Sequence, residues 1–381
     1  MRSFTNVTRK YCLGLIVFSL LCLWLSWEWK IFMLLLVAGG ILFGSVAYIF
    51  KSSQLVLIPI SSILICLSLI ETSLLLFYDK PKTYFDRASD YSRYSYFERV
   101  KGFGYRVQPG VHTSRELTHD GEIIYDVSYT IGKDGYRESS SGEKFNAYIF
   151  GGSFTFGEGL NDNETLAHYL SLSPDLKVKN LGVHGYGMHQ ALYNIENGIS
   201  SLDGTNILLT APWHSARSAC KPSYTVGTPK YIIVEGFAAL KGVCKNNNIL
   251  IKILSASKIF ILTQRSLIHE SKQRNDDFDL YLAILRTIAK KTHENGSKLV
   301  ISYIKGKKSE FKNTNWTNES LMQELNKIGD IFIDVTLSKT SEELDNSFYL
   351  HELDSHPSSE ANKVRAMMIS SAIKKTYHEI R

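Results

Sequence analysis

The stretch Ala147–Gly159, AYIFGGSFTFGEG, decides the reading of this chain. Three β-favouring apolar residues, Tyr148, Ile149 and Phe150, run into two glycines and then Ser153. Glycine tolerates the backbone angles of a sharp strand-to-helix turn, which would present the hydroxyl at the C-terminal end of a strand. A serine hydroxyl is a weak nucleophile until a base takes its proton. Asp354-Ser-His356-Pro357 offers an imidazole with a carboxylate two residues away. Each segment alone has a plainer reading: a Gly-Gly-Ser turn for the first, and a metal cluster with His351 for the second. His-x-x-Asp-x-His is not a common ligand spacing and no carboxylate-rich partner segment stands out, so no metal or other cofactor is expected.

Outward from that stretch, strand and helix patterns alternate. Leu176–Asn180, Asn206–Thr210, Lys298–Ile304 and Ile331–Val335 read as strands. Thr165–Leu172, Met188–Ile199, Phe278–His293 and Ser358–Lys375 read as helices, the first opened by the N-cap chemistry of Asn161-Asp-Asn-Glu164. Such alternation implies parallel pairing and an α/β three-layer sandwich, with ligands at the C-terminal strand ends. Ser153, Gly185 and His214 all follow strand ends, so the candidates converge on one edge. Residues 78–145 are read as a β-rich lead-in: Glu122–Ile131 alternates, and Gly132-Lys-Asp-Gly135 is a turn. Residues 215–276 interrupt the rhythm as an insertion, with a hairpin-like stretch around Gly227-Thr-Pro229 and an apolar, basic helix candidate at Ile249–Leu267. That helix either packs on the domain or serves as a lid or membrane-facing element.

Residues 1–77 have another character. Tyr11–Trp27, Ile31–Phe50 and Leu55–Phe77 are almost free of charge, Glu71 excepted. About 20 apolar residues span a bilayer core, so three transmembrane helices are expected. Arg2, Arg9, Lys10 and Lys51 then put the N-terminus in the cytoplasm, and three crossings put the rest of the chain outside. The 381-residue chain has a net charge of +6, too small to argue for a nucleic-acid partner. Of five cysteines, Cys220 and Cys244 lie in the insertion, where a disulfide and two buried thiols are both open.

GGSFTFGEG, NLGVHGYGMHQ at Asn180–Gln190 and DSHP at Asp354–Pro357 together resemble the SGNH (GDSL-like) hydrolases. The segment Ile131-Gly-Lys-Asp-Gly-Tyr-Arg137 resembles one found before the serine in membrane-attached bacterial members. The resemblance covers residues 130–215 and 278–381. It implies Ser153 as nucleophile, His356 as base, Asp354 as the residue orienting it, and an oxyanion hole from the amides of Ser153 and Gly185. The chain departs from the family twice. Gly-Gly-Ser stands for Gly-Asp-Ser, and Ala211-Pro-Trp-His214-Ser replaces the block-three asparagine, leaving His214 nearest the place of that donor. The resemblance implies a membrane-anchored esterase acting on O-acyl esters of envelope glycans or lipids. Two alternatives stay open: an O-acyltransferase working with a membrane partner, and a non-catalytic, membrane- or glycan-binding protein on a retired hydrolase fold. His184 and His189 flank the block-two glycine and are read as packing or pocket lining.

Overall fold

The computed structural model describes residues 31–50, 54–77, 87–89, 96–118, 121–138, 144–199, 204–245, 270–337 and 346–379. The chain divides into two compact units, one of residues 1–81 with 246–268 and one of 82–245 with 269–381.

In the first unit, helices α1 (Ile31–Ile49) and α2 (Gln54–Phe77) pack on each other. Small residues line their contact: Ser61 Oγ donates to the Gly40 carbonyl at 2.6 Å, and Ala38 and Ala47 are buried. No helix among the described residues is long and apolar enough to cross a membrane, which overturns the expectation of three transmembrane helices. The expectation counted apolar letters along the sequence. Pro59, Ser61, Ser62 and Ser68 interrupt the apolar run of the second helix. Tyr11–Trp27 lies outside the described residues. The topology with a cytoplasmic N-terminus and an extracytoplasmic domain rested on those crossings and falls with them.

The second unit begins with antiparallel strands: β1 (Arg87–Ser89), β2 (Phe97–Val100), β3 (Gly104–Val107), β4 (Gly110–Thr118) and β5 (Ile123–Ile131). They form a three-stranded sheet, β1-β4-β5, and the β2-β3 hairpin. Then β6 (Ala147–Phe150), β7 (Val178–Asn180), β8 (Thr205–Thr210), the β9 (Pro229–Val234) and β10 (Phe237–Val243) hairpin, β11 (Lys298–Tyr303) and β12 (Ile331–Asp334) follow. Five of these make one parallel sheet in the order β12-β11-β8-β6-β7. Helices fill the intervals: α3 (Ser153–Phe156), α4 (Leu166–Ser171), α5 (Met188–Glu196), α6 (His214–Ser218), α7 (Glu270–Glu294) and α8 (Asn318–Ile328). A short pair, β13 (Tyr349–His351) and β14 (Asp354–Pro357), precedes the closing helix α9 (Ser359–Glu379).

The period-two alternation of strand side chains builds two cores. Tyr148, Phe150, Leu208, Leu299 and Ile301 share one cluster with Leu192 of α5, Leu285 of α7 and Leu325 of α8. Ala147, Ile149, Ile207, Leu209 and Val300 share the other with Leu170 of α4 and Ile369 of α9. Helices therefore cover both faces, and this is the mixed α/β core anticipated from the sequence. Tyr125, Val127, Tyr129 and Tyr136 of the lead-in join the first cluster.

The insertion carries a disulfide between Cys220 and Cys244, with Cα atoms 5.5 Å apart. Its hairpin turns at Glu235-Gly236, not around Gly227-Pro229. Both turn residues have positive φ, 50° and 81°, as a two-residue hairpin with right-handed twist requires. Glutamate in place of the usual asparagine hid that turn. The helix candidate Ile249–Leu267 lies outside the described residues.

Candidate active site

Gly151 and Gly152 join β6 to α3. A Cβ on Gly151 would strike Thr155 Oγ1 and approach the Leu209 carbonyl to 2.9 Å, so only glycine lets the chain turn there. Ser153 opens α3 and is 9% exposed. Asp354 and His356 come from β14, and the hairpin with β13 holds them beside α3. Ser153 Oγ lies 2.9 Å from His356 Nε2, and His356 Nδ1 lies 2.6 Å from Asp354 Oδ1. The same Asp354 oxygen accepts the His356 amide at 2.9 Å. Asp354 is fully buried, so its carboxylate fixes the ring, keeps the proton on Nδ1 and leaves Nε2 to accept from the serine. Residues 203 positions apart thus meet at one hydrogen bond.

A second carboxylate touches the same imidazole. Gly157, with φ of 83°, ends α3 after one turn, and its amide returns to the Ser153 carbonyl at 2.9 Å. That turn brings Glu158 back to the site. Glu158 Oε2 is 2.6 Å from His184 Nδ1 and 3.1 Å from His356 Nε2. His184, read from sequence as packing or pocket lining, packs against Phe156 with ring centroids 4.2 Å apart and planes tilted by 46°, and lines the same cavity as Ser153. Glu158 was legible only as a letter within GGSFTFGEG. Its partners are 26 and 198 residues away, and no local pattern announces them.

Arg137 fixes this corner. Its Nε donates to Asp162 Oδ1 at 2.8 Å, Nη1 to the carbonyls of Phe156 and Gly157 at 3.0 and 2.7 Å, and Nη2 to that of Leu160. The guanidinium also lies over the rings of Tyr129 and Phe156. The Gly-Tyr-Arg segment therefore clamps the loop that carries Glu158.

Gly185 has a φ of 72° and lines the cavity; Tyr105 Oη donates to the neighbouring His184 carbonyl at 2.7 Å. The amides of Ser153 and Gly185 have no acceptor among the described residues. His214 is buried, with Nδ1 accepting from the Ala211 amide at 3.3 Å and facing Thr210 Oγ1 at 3.1 Å. We therefore assign its proton to Nε2. Burial, and then the nearby Arg217, hold its pKa well below the usual histidine value, so the ring is neutral. A Cβ on Gly152 would stand 3.4 Å from His214 Nε2 and 2.6 Å from Arg217 Nη1. The space beside residue 152 is therefore occupied by His214 and Arg217. Sequence reading missed Arg217, although it sits one turn beyond His214 on α6. His351 stands apart, its Nε2 3.6 Å from Glu122 Oε2.

Ser153, Glu158, His184, Gly185 and His356 open onto one cavity of about 930 Å³, walled by Phe97, Tyr105, Phe154, Trp213 and Tyr224. Its size suits a ligand of several rings' breadth.

No family model matches this chain, and no curated protein matches it. Eight solved chains do. One comes from Desulfitobacterium hafniense DCB-2 and is assigned to the G-D-S-L family of lipolytic proteins. It is 12% identical, with a TM-score of 0.33 over 60% of this chain and 99% of its own length. A likeness that small carries no weight for mechanism, which rests on the residues themselves.

Proposed function

We propose that this protein is a serine ester hydrolase of the SGNH type, acting on O-acyl esters. The observation that carries this reading is the continuous Ser153–His356–Asp354 chain of hydrogen bonds, at 2.9 and 2.6 Å, on the floor of a roomy cavity. In the first half-reaction Ser153 Oγ attacks the acyl carbon while its proton passes to His356 Nε2. The oxyanion is held by the waiting amides of Ser153 and Gly185 and by His214 Nε2–H; one such donor is worth about 3 kcal/mol. Collapse of the adduct breaks the ester C–O bond, and the leaving alcohol takes the proton from Nε2. Water, deprotonated by His356, then attacks the acyl-serine and releases the acid. Buried Asp354 keeps the ring in the tautomer this cycle needs. The residues supply every proton acceptor and donor used.

The test is labelling of the full chain with a fluorophosphonate, which reacts only with an activated serine. Wild type is expected to label and to hydrolyse p-nitrophenyl acetate, and Ser153→Ala to do neither while keeping its melting temperature. Equal labelling of the variant would remove Ser153 from the mechanism. Asp354→Asn is expected to keep the fold and lose on the order of 10⁴ in kcat, because the amide favours the wrong tautomer; a wild-type rate would assign the orienting role elsewhere.

A further inference from the structure

Two arginines of this unit are almost completely buried, and they are treated differently. Arg137 has its donors taken by four carbonyls, that of Ser128 included, and by Asp162. Arg365, on α9, is 3% exposed. Its Nε donates to the Val335 carbonyl at 3.2 Å, Nη1 is buried without a partner, and no carboxylate pairs with it among the described residues. Burial lowers its pKa only to about 10, so the group is a cation at neutral pH. A buried, unpaired charge is costly to a fold, and a guanidinium is a fork shaped for the two oxygens of a carboxylate or phosphoryl group.

Arg365 lines the cavity that holds Ser153 and His356. Arg99, Arg217 and Lys307 line it too, and none of them has a carboxylate partner among the described residues. Lys305 is already paired with Asp334 at 2.7 Å. Of the lining carboxylates, Glu158 is engaged by His184 and His356, so three carboxylates face four cations that have no carboxylate partner among the described residues.

We propose that Arg365 is the seat of an anion subsite in this cavity, so that the ester taken by Ser153 also carries a carboxylate or phosphoryl oxyanion. The assignment of the substrate as an ester rests on the hydrolase reading; the subsite rests on Arg365. The anion offsets the burial cost of the guanidinium and fixes the substrate, with Arg217 and Lys307 adding long-range attraction.

The test compares kcat/KM of the full chain for phenyl acetate, 4-acetoxybenzoate, 4-acetoxyphenyl phosphate and monophenyl succinate. At least one anionic ester is expected to be preferred over phenyl acetate tenfold or more. Arg365→Met is expected to erase that preference and Arg365→Lys to retain part of it, since lysine keeps the charge and loses the fork. The preferred ester tells carboxylate from phosphate and leaving-group side from acyl side. No preference in wild type, or the same preference in both variants, would overturn the subsite. Melting of the Ser153→Ala chain with benzoate or inorganic phosphate gives a readout free of turnover. One of the two should raise Tm by several degrees, and Arg365→Met in that background should abolish the rise. A rise that survives overturns the subsite. A rise that depends on Arg365, found beside a wild-type chain that hydrolyses none of the four esters, sustains the subsite and sinks the hydrolase reading. If Arg365→Met does not fold, Arg365→Lys decides both measurements.

Discussion

Glu158 sets a second carboxylate against the His356 imidazole. While His356 is neutral, its Nε2 lone pair faces the serine proton and the Glu158 carboxylate at 3.1 Å, an arrangement that gains little. Once the serine proton has moved to Nε2, the same carboxylate faces a cation and accepts a charge-assisted hydrogen bond. Glu158 therefore favours the charged state through which the proposed reaction passes. Glu158→Gln keeps an oxygen for His184 and removes the charge, and kcat/KM for p-nitrophenyl acetate is expected to fall by about 10²-fold, the lower range for a group assisting proton transfer. An unchanged rate would make the contact incidental. His184→Ala should act in the same direction by letting the carboxylate swing away. At this scale, Ser153, Asp354 and His356 were legible because each sits in a short motif whose spacing is chemical. Glu158, Arg217 and Arg365 were not, because their roles arise only from partners brought near by the fold.

Among the elements, the strands of the parallel sheet were read to within one or two residues, since β-branched runs bounded by turn residues have few other uses. Helix α7 begins eight residues before the expected Phe278, because its first two turns are polar and carry no apolar period. Helix α8 went unread although Thr317 caps it, accepting the Ser320 amide at 3.2 Å, and Leu321 and Leu325 form its buried stripe. The apolar runs Ile31–Phe50 and Leu55–Phe77 misled for the opposite reason: a count of uncharged residues passes over the proline and serines that interrupt the second run. The loop after α3 depends on Arg137, and Arg137→Met would strand four carbonyls, three of them in that loop, and a carboxylate. Losing one partner from a buried charge network costs about 3–5 kcal/mol, so urea unfolding of this variant should show a loss of that size. A loss under about 1 kcal/mol would mean the loop stands without its clamp.

For the molecule as a whole, buried histidines set the acid limit. Burial, and then Arg217, pull the pKa of His189 down to about 3, and His214 is held low by the same causes. His189 Nε2 is 3.0 Å from Thr228 Oγ1, whose own proton goes to the Thr225 carbonyl, so the ring donates there as a neutral group. In the unfolded chain both rings titrate near pH 6.5. Stability is therefore intact above pH 6.5 and lost as pH falls from there toward 3, because the unfolded chain binds protons that the folded one refuses. The slope is about 1.4 kcal/mol per pH unit for each histidine. Urea midpoints at pH 7 and pH 5 should differ accordingly, and His189→Gln should remove one histidine's share, about 2 kcal/mol over that interval. An identical slope in the variant would mean that the ring is already charged in the fold.

The hydrogen bond between Ser153 and His356 also has a consequence in time. During synthesis the nucleophile leaves the ribosome long before its base has been translated, and α9, which ties back to the early part of the chain through Tyr169 Oη and Ser359 Oγ at 2.7 Å, is made later still. A nascent chain stalled before codon 356 should be inert to fluorophosphonate and one released in full should react. On the hydrolase reading, the unfinished protein is inert, and its chemistry begins only once both segments have been made.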